Sequence, residues 1–167
     1  MHHNKKKLTL QCLTFKVELN NLKIMKTFEI LLVEDNEGDI ILTTEALEEG
    51  KIEKRINVVK NGKDAIDYVF NNGKYEQAIR PDIILLDVNL PLKSGYEVLK
   101  AIKNNEKTKQ IPVIMLTTSS SENDIDTSYL NHANCFITKP VDLKDFHVAM
   151  AKIEQFWLNL VLLPSKN

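Results

Sequence analysis

The sequence has few cysteines, the residues that form disulfide bonds and structural zinc sites. Its 167 residues include two cysteines, Cys12 and Cys135, and their spacing forms no Cys-x-x-Cys pair. A disulfide framework and a structural zinc site are therefore not expected. A reducing compartment suits such a chain best, and we predict that the protein is cytoplasmic.

Long apolar runs and an excess of charge of one sign are also missing. No stretch is apolar over the roughly 20 residues that cross a membrane. Gln11, Lys16 and Glu18 interrupt the N-terminal segment, which therefore does not resemble a signal peptide. The formal net charge is -1, so we predict neither nucleic acid nor a membrane as a partner. The motif Gly-x-x-x-x-Gly-Lys-Ser/Thr does not occur, so a nucleotide-binding P-loop is not expected either.

The composition that is present is that of an ordinary globular domain, 43% hydrophobic and 27% charged. Such a chain can bury a core. Met25 lies just before the first strongly apolar run, so we predict that residues 1–24 form an extension outside the domain, and a true start at Met25 would explain them. Apolar alternation within the extension leaves a short ordered strand as the alternative. The domain is placed at residues 25–163, with a C-terminal tail at 164–167.

Short apolar runs alternate with segments of helical periodicity along the rest of the chain. The runs are typical of buried parallel strands, and we predict five: Phe28–Val33, Arg55–Val59, Asp82–Asp87, Pro112–Thr117 and Cys135–Thr138. Helices are predicted to start near Gly38, Gly62, Ser94, Glu122 and Asp142. The alternation predicts an α/β fold with a doubly wound, five-stranded parallel sheet, flavodoxin-like strand order 2-1-3-4-5 and helices on both faces.

The first and last helices carry predicted inward-facing stripes. In the first helix these are Ile40, Ile41, Ala46 and Leu47. In the last helix the spacing i, i+3, i+4, i+7 predicts an amphipathic helix. Its inward stripe consists of Leu143, Phe146, His147, Met150, Ile153, Trp157 and Leu160.

Charged and polar side chains stand at the ends of four of the predicted strands. They are Glu34 and Asp35 after the first strand, Asp87 at the third, Thr117 at the fourth and Lys139 after the fifth. Because the carboxyl ends of parallel strands meet at one edge of the sheet, we expect these side chains to share a crevice. Three carboxylates there would repel one another, and carboxylate oxygens are ligands that Mg²⁺ prefers. The sequence therefore predicts a magnesium site.

The same residues indicate chemistry at phosphorus. A strand-end carboxylate such as Asp87 can act as a nucleophile and form an aspartyl phosphate. Glu34, Asp35 and Asp87 are the predicted ligands of a metal that neutralises charge between the attacking oxygen and the phosphoryl group. Lys139 and Thr117 would contact the phosphoryl oxygens. We expect the peptide bond between Lys139 and the following proline to be cis, because a tight turn must direct the lysine into the site.

Four segments resemble motifs of the receiver domain of bacterial two-component response regulators. They are Leu-Leu-Val-Glu-Asp-Asn (31–36), Leu-Leu-Asp-Val-Asn-Leu-Pro-Leu-Lys-Ser-Gly (85–95), Val-Ile-Met-Leu-Thr-Thr (113–118) and Phe-Ile-Thr-Lys-Pro (136–140). The resemblance extends from about Phe28 to Phe156. It implies a stand-alone, chemotaxis-Y-like signalling protein, which catalyses only its own phosphorylation and dephosphorylation and turns over no separate metabolite.

The resemblance also implies residue roles. Asp87 would accept a phosphoryl group from the phosphohistidine of a sensor histidine kinase in a Mg²⁺-dependent reaction. Asn89 would give its backbone carbonyl to the metal. Thr117 and Phe136 would form a switch, in which the hydroxyl moves toward the phosphoryl group and the ring turns inward. The surface of the fourth helix, fifth strand and fifth helix would then change shape.

The C-terminal region resembles that of single-domain regulators associated with phytochrome-type and other hybrid sensor kinases. Its apolar tail would expose Trp157, Leu160 and Leu163 unless they are covered, and exposed apolar patches often mark interfaces. We hypothesise a homodimer through the fifth helix and the tail. The alternative is that the tail folds onto its own domain.

Two other functions remain open. A phosphohydrolase of the haloacid-dehalogenase type also uses a strand-end aspartate, but that class needs a second aspartate two residues later, where this chain has Asn89. A receiver-like module that binds proteins without being phosphorylated is the other possibility. It is disfavoured because the complete set is present: Glu34, Asp35, Asp87, Thr117 and Lys139.

Overall fold

The computed structural model describes residues 27–164, so the predicted extension at 1–24 lies outside the described residues. Five parallel strands form one sheet in the order β2-β1-β3-β4-β5, which confirms the predicted fold. The strands are β1 (Phe28–Val33), β2 (Lys54–Val59), β3 (Ile83–Leu86), β4 (Val113–Thr117) and β5 (Cys135–Thr138). The helices are α1 (Glu37–Glu48), α2 (Gly62–Val69), α3 (Gly95–Lys103), α4 (Glu122–Leu130) and α5 (Leu143–Ile153). Across residues 27–164 no helix has the length and hydropathy needed to span a membrane.

The sheet has a core on each of its two faces, because successive side chains of a strand point to opposite sides. Leu31 and Val33 of β1 belong to the cluster that α2 and α3 cover. Ile30 and Leu32 belong to the cluster that α1 and α5 cover. Burial on both faces explains why the inner strands are continuous apolar runs rather than alternating ones.

Side-chain caps begin all five helices. Each cap oxygen accepts a backbone N–H from the first turn, and the caps are Asn36, Asn61, Ser94, Ser121 and Asp142. A cap of this kind stabilises a helix by about 1 kcal/mol. The caps stop each helix from extending back into the loop, and the observed starts lie within one residue of the predicted ones.

The prediction that Ile41 faces the core is wrong, because its side chain is 54% exposed. Thr43, Ala46 and Leu47 form the buried side of α1. Ile41 lies two residues before Thr43, about 200° around an α-helix with 3.6 residues per turn, and therefore points outward.

The predicted stripe of the last helix is also only partly correct. Phe146, Met150 and Ile153 are buried, but α5 ends at Ile153 and continues as the π-helical segment Glu154–Leu160. A π-helix brings residues i and i+5 together, so Leu158 becomes the buried apolar residue of this segment, while the predicted Trp157 is only partly buried. The predicted ends of the stripe, Leu143 and Leu160, are exposed.

A buried acidic side chain attaches this π-helical segment to the loop before β2. Glu154 Oε1 accepts the backbone N–H of Ile52 at 3.2 Å and lies 3.1 Å from Lys54 Nζ. The contact with Lys54 is ionic rather than a well-aligned hydrogen bond. A Cβ at Gly50 would lie 1.5 Å from the Glu154 carboxylate, so any larger residue there would force the carboxylate to move from this position. The first part of the C-terminal segment thus folds onto its own domain.

We expect Glu154→Gln to lower the free energy of unfolding by about 3 kcal/mol, because it leaves the Lys54 ammonium buried without a charge partner. Urea denaturation at neutral pH measures the change. Glu45→Gln, at an exposed position of α1, is the matched control and should change stability little. Equal effects of the two substitutions would contradict the inferred importance of the buried pair.

Candidate functional site

The strand register brings the predicted site residues to one edge of the sheet. Val33 of β1 pairs with Leu86 of β3, and Thr117 of β4 pairs with Thr138 of β5. The backbone hydrogen bonds between the strands extend to the residues that follow these pairs. The Asp87 N–H donates to the carbonyl of Val33 at 3.0 Å. The Lys139 N–H likewise donates to the carbonyl of Thr117 at 2.7 Å. Adjacent strand ends therefore carry the site.

The centre of the site is the ammonium group of Lys139. Its Nζ lies 2.5 Å from Glu34 Oε2, 2.7 Å from Asp39 Oδ2 and 3.1 Å from Asp87 Oδ1. Glu34 and Asp87 are buried, with 3% and 6% of their surfaces exposed, and Lys139 is buried as well. One cation is therefore shared by three carboxylates in a region with little water.

Asp39 was not among the residues predicted for this group. Asp39 lies in the first turn of α1, where its backbone N–H donates to the capping side chain of Asn36 at 3.1 Å. An acidic residue in a first helical turn usually has a favourable interaction with the helix dipole, and that ordinary role hid the contact with Lys139. The position four residues after Asp35, one helical turn on, was the available signal.

The shared ammonium does not fully compensate the buried carboxylates. Burial raises the pKa of Glu34 above its ordinary value, and contacts with Lys139 offset only part of this rise. Burial also raises the pKa of Asp87, against the opposing effects of Lys139 and the Asn89 N–H. Burial alone would lower the pKa of Lys139, but its hydrogen bonds to Asp39 and Glu34, together with the negative charges of Asp87 and Glu34, raise that pKa above its ordinary value. The lysine therefore stays charged while the carboxylates compete for it.

The remaining predicted residues surround Asp87. The Asn89 N–H donates to Asp87 Oδ2 at 2.7 Å. Asp35 is exposed. Its negative charge raises the pKa of Asp87 further, in addition to the larger effect of the burial of Asp87. A Cβ at Gly95 would lie 2.1 Å from the carbonyl oxygen of Asp87, so glycine is needed where α3 begins against the loop. The loop geometry thus depends on a residue that carries no side chain.

The two predicted switch residues lie on neighbouring strands. Thr117 is fully buried at the end of β4, and its Oγ1 accepts the N–H of Ser119 at 3.2 Å. Phe136 of β5 is partly buried and packs against the cluster beneath α2 and α3. The expected cis bond after Lys139 is wrong, because every peptide bond within residues 27–164 is trans. The backbone bond from Lys139 to Thr117 directs the lysine into the site without a cis turn.

The chemistry of the donor set fits a divalent cation. Within residues 27–164 no group of three or more His, Cys, Asp or Glu side chains is arranged around a common metal position. Lys139 stands between Glu34, Asp39 and Asp87 instead. These three carboxylates and the exposed Asp35 nevertheless carry more negative charge than the single Lys139 ammonium neutralises. Their oxygen atoms are the kind of ligand that Mg²⁺ requires.

Comparison with known proteins defines the class. A model of the response regulator receiver domain matches residues 30–151. The chain therefore belongs to the response regulator receiver family, and the resemblance seen in the sequence is confirmed. Members of this family are signalling proteins of two-component systems that bind a divalent metal and are phosphorylated by histidine kinases.

Two curated relatives cover most of the chain. Response regulator Rcp1 of Synechocystis sp. is 45% identical over 136 residues, which are 81% of this chain and 92% of that protein. The probable methanogenesis regulatory protein FilR2 of Methanothrix harundinacea is 38% identical over 131 residues, 78% of this chain and 84% of that protein.

Two solved structures are similar over the same region. The phosphorylated cyanobacterial phytochrome response regulator RcpA has a TM-score of 0.81 at 45% identity and covers 84% of this chain and 100% of its own. The Mn²⁺-bound form of Rcp1 has a TM-score of 0.80 at 44% identity and covers 83% of this chain and 99% of its own.

The charge imbalance at Lys139 predicts that Asp87→Asn stabilises the metal-free protein. Because the pKa of Asp87 is raised on folding, the folded state favours the protonated carboxyl, and ionisation at neutral pH costs stability. We expect the free energy of unfolding to rise by about 1 kcal/mol in urea denaturation with a chelator present. Asp126→Asn, at an exposed position of α4, should change little. A loss of stability in Asp87→Asn would mean that the contact with Lys139 outweighs the repulsion.

Proposed function

We propose that the protein receives a phosphoryl group on Asp87 from the phosphohistidine of a sensor histidine kinase and signals by changing shape. The observation that supports this most directly is the buried Asp87 carboxylate, 3.1 Å from the Lys139 ammonium, within a cluster of further carboxylates. A carboxylate at this edge of the sheet can be reached from solvent through the loops. Membership of the receiver family supports the same reaction.

In the proposed step, an oxygen of Asp87 attacks phosphorus while the bond from phosphorus to the histidine nitrogen breaks, and that nitrogen keeps the electron pair. Lys139 contacts the phosphoryl oxygens, and the Asn89 N–H holds the second carboxylate oxygen in place. Thr117 donates its hydroxyl to the phosphoryl group. No separate metabolite is turned over, so the protein acts as a phosphoacceptor that catalyses only its own phosphorylation and dephosphorylation.

The residues proposed to hold Mg²⁺ are Glu34, Asp35 and Asp87 with the backbone carbonyl of Asn89. When bound, the cation neutralises negative charge between the attacking carboxylate and the phosphoryl oxygens. The excess of carboxylates over the Lys139 ammonium supports this assignment. The Mn²⁺-bound structure of the relative Rcp1 supports a divalent ion in the same family.

The proposed output surface consists of α4, β5 and α5. Thr117 moves toward the phosphoryl group, and Phe136, which packs partly buried on the core, turns inward. This surface already exposes apolar side chains for a protein partner, among them Tyr129, Leu130 and Val148. A kinase of the phytochrome type is the proposed donor, because the relatives RcpA and Rcp1 include a phytochrome response regulator.

A homodimer through α5 and the tail remains part of the proposal. Trp157 is partly buried and Leu158 is buried, which supports the view that part of the tail covers its own domain. Phe156, Leu160 and Leu162 lie close together in the sequence and stay exposed, which supports an interface there.

The two alternatives make different predictions for the same site. A haloacid-dehalogenase-type phosphohydrolase would release phosphate from esters in many turnovers, although Asn89 stands where that class needs an acid–base aspartate. An unphosphorylated binding module would form no covalent adduct at Asp87. The family membership favours the phosphoacceptor over both.

The first test is intact-mass measurement after incubation with Mg²⁺ and acetyl phosphate. We expect an adduct of about 80 Da, the mass of one phosphoryl group, which is lost in Asp87→Asn and without Mg²⁺. Asp126→Asn is the control and should keep the adduct. An adduct that persists in Asp87→Asn would place the phosphoryl group elsewhere, and absence of both an adduct and beryllofluoride binding would favour the binding module.

A second test concerns the dimer. Leu160→Glu should shift sedimentation toward monomer, since burying a carboxylate in an apolar interface is unfavourable. Ile79→Glu, at another exposed apolar position remote in sequence, is the control and should leave the oligomeric state unchanged. A wild-type protein that sediments only as a monomer at high concentration, with and without phosphorylation, would exclude the dimer.

A further inference from the structure

A chain of polar contacts begins at the proposed phosphoryl-binding threonine and leads away from the site. Thr117 Oγ1 accepts the N–H of Ser119, and the Ser119 hydroxyl donates to Asp124 Oδ2. Asp124 lies in the first turn of α4. Two hydrogen bonds therefore connect the end of β4 to the start of the helix that borders the proposed output surface.

The same carboxylate is held from the opposite side by α3. The Tyr96 hydroxyl donates to Asp124 Oδ1 at 2.9 Å. The Tyr96 ring is partly buried and packs against the core cluster beneath α2 and α3. Asp124 thus accepts hydrogen bonds through one oxygen from Ser119 and through the other from Tyr96, whose ring packs on the core.

Protonation states support this direction of the hydrogen bonds. Burial of the Tyr96 hydroxyl and, to a smaller extent, its contact with Asp124 raise the pKa of Tyr96 to about 12. The hydroxyl is therefore protonated at neutral pH and acts as a donor. Hydrogen bonds from Ser119, Ser121 and Tyr96 lower the pKa of Asp124, so its carboxylate is ionised and accepts them. Hydrogen bonds to an ionised acceptor are stronger than neutral ones.

We infer that Tyr96 is a positioning residue: through Asp124 it holds Ser119, and thereby Thr117, in the position of the unphosphorylated protein. The inference rests on the proposed function of Thr117. If Thr117 moves toward a phosphoryl group on Asp87, Ser119 two residues later must follow. That movement either breaks the bond from Ser119 to Asp124 or pulls the first turn of α4 away from Tyr96.

The hydrogen bond from Tyr96 therefore opposes the phosphorylated conformation. A contact shifts an equilibrium only if it differs between the two states, and this bond is made in the unphosphorylated one. Its removal should raise the population of the conformation that binds a phosphoryl group. Because Tyr96 and Asp124 are not among the groups that contact the Asp87 carboxylate, the effect would be on the conformational equilibrium and not on the chemistry at Asp87.

The test is Tyr96→Phe, which keeps the ring in the core and removes only the hydroxyl. With Mg²⁺ present, we expect its affinity for beryllofluoride, measured by titration calorimetry, to be about fivefold tighter than that of the wild type. Hydrogen exchange of residues 118–124 should be faster without any ligand. Tyr75→Phe is the control, because it also removes one tyrosine hydroxyl but lies in the short 3-10 turn Gly73–Tyr75, outside α3, α4 and the proposed output surface; it should change neither measurement.

The outcomes separate a positioning role from a purely structural one. Unchanged or weaker beryllofluoride affinity in Tyr96→Phe would overturn the inference, even if the variant is less stable to urea. Ser119→Ala should also tighten binding, and combining it with Tyr96→Phe should add little, since both act through Asp124. Fully additive effects would contradict the shared path.

A failure of the proposed function is distinguishable from a failure of this inference. If the wild type binds no beryllofluoride and forms no adduct, the proposed function fails. The exchange comparison then still decides the holding role of Tyr96, because it needs no ligand. Faster exchange of residues 118–124 in Tyr96→Phe would support that role, and unchanged exchange would overturn it.

Discussion

The structure at the functional edge depends on one buried ammonium group. Lys139 contacts carboxylates from three different parts of the chain, at the ends of β1 and β3 and in the first turn of α1. These carboxylates would repel one another without it, and with it they remain undercompensated. The site is therefore held together by a cation but keeps an excess of negative charge, which is the electrostatic condition for binding a divalent ion.

The charge cluster is connected to the rest of the domain through backbone bonds and short polar side chains. Thr117 receives the Lys139 N–H on its carbonyl and the Ser119 N–H on its hydroxyl oxygen. The contacts then reach Asp124 on α4 and Tyr96 on α3. In contrast, Glu154 fixes the C-terminal segment on the far side of the sheet. The fold thus combines a C-terminal segment attached through a buried carboxylate with a loop after β4 whose polar side chains connect the site to α4.

The sequence by itself determined the fold and the main candidates of the site. Buried parallel strands must be apolar on both faces, so the runs of β1, β3 and β4 could be recognised without any tertiary information, and the alternation of runs and helices placed the two edge strands. Residues that directly follow such runs reach one edge of the sheet whatever the helices do, and this made Glu34, Asp87, Thr117 and Lys139 predictable. Cap residues such as Ser94 are equally local, and the helix starts were correct for that reason.

Only the tertiary structure decided how distant side chains meet. Asp39 and Tyr96 had ordinary local roles in the sequence, and only packing brings them to Lys139 and Asp124. The π-helical segment after α5 was not predictable either, because an apolar pattern with 3.6 residues per turn does not reveal a wider turn. Glu154 in this segment is buried against a loop that lies about 100 residues earlier in the sequence. Contacts between remote residues depend on the combined geometry of several elements, and that geometry has no signature in a local stretch of sequence.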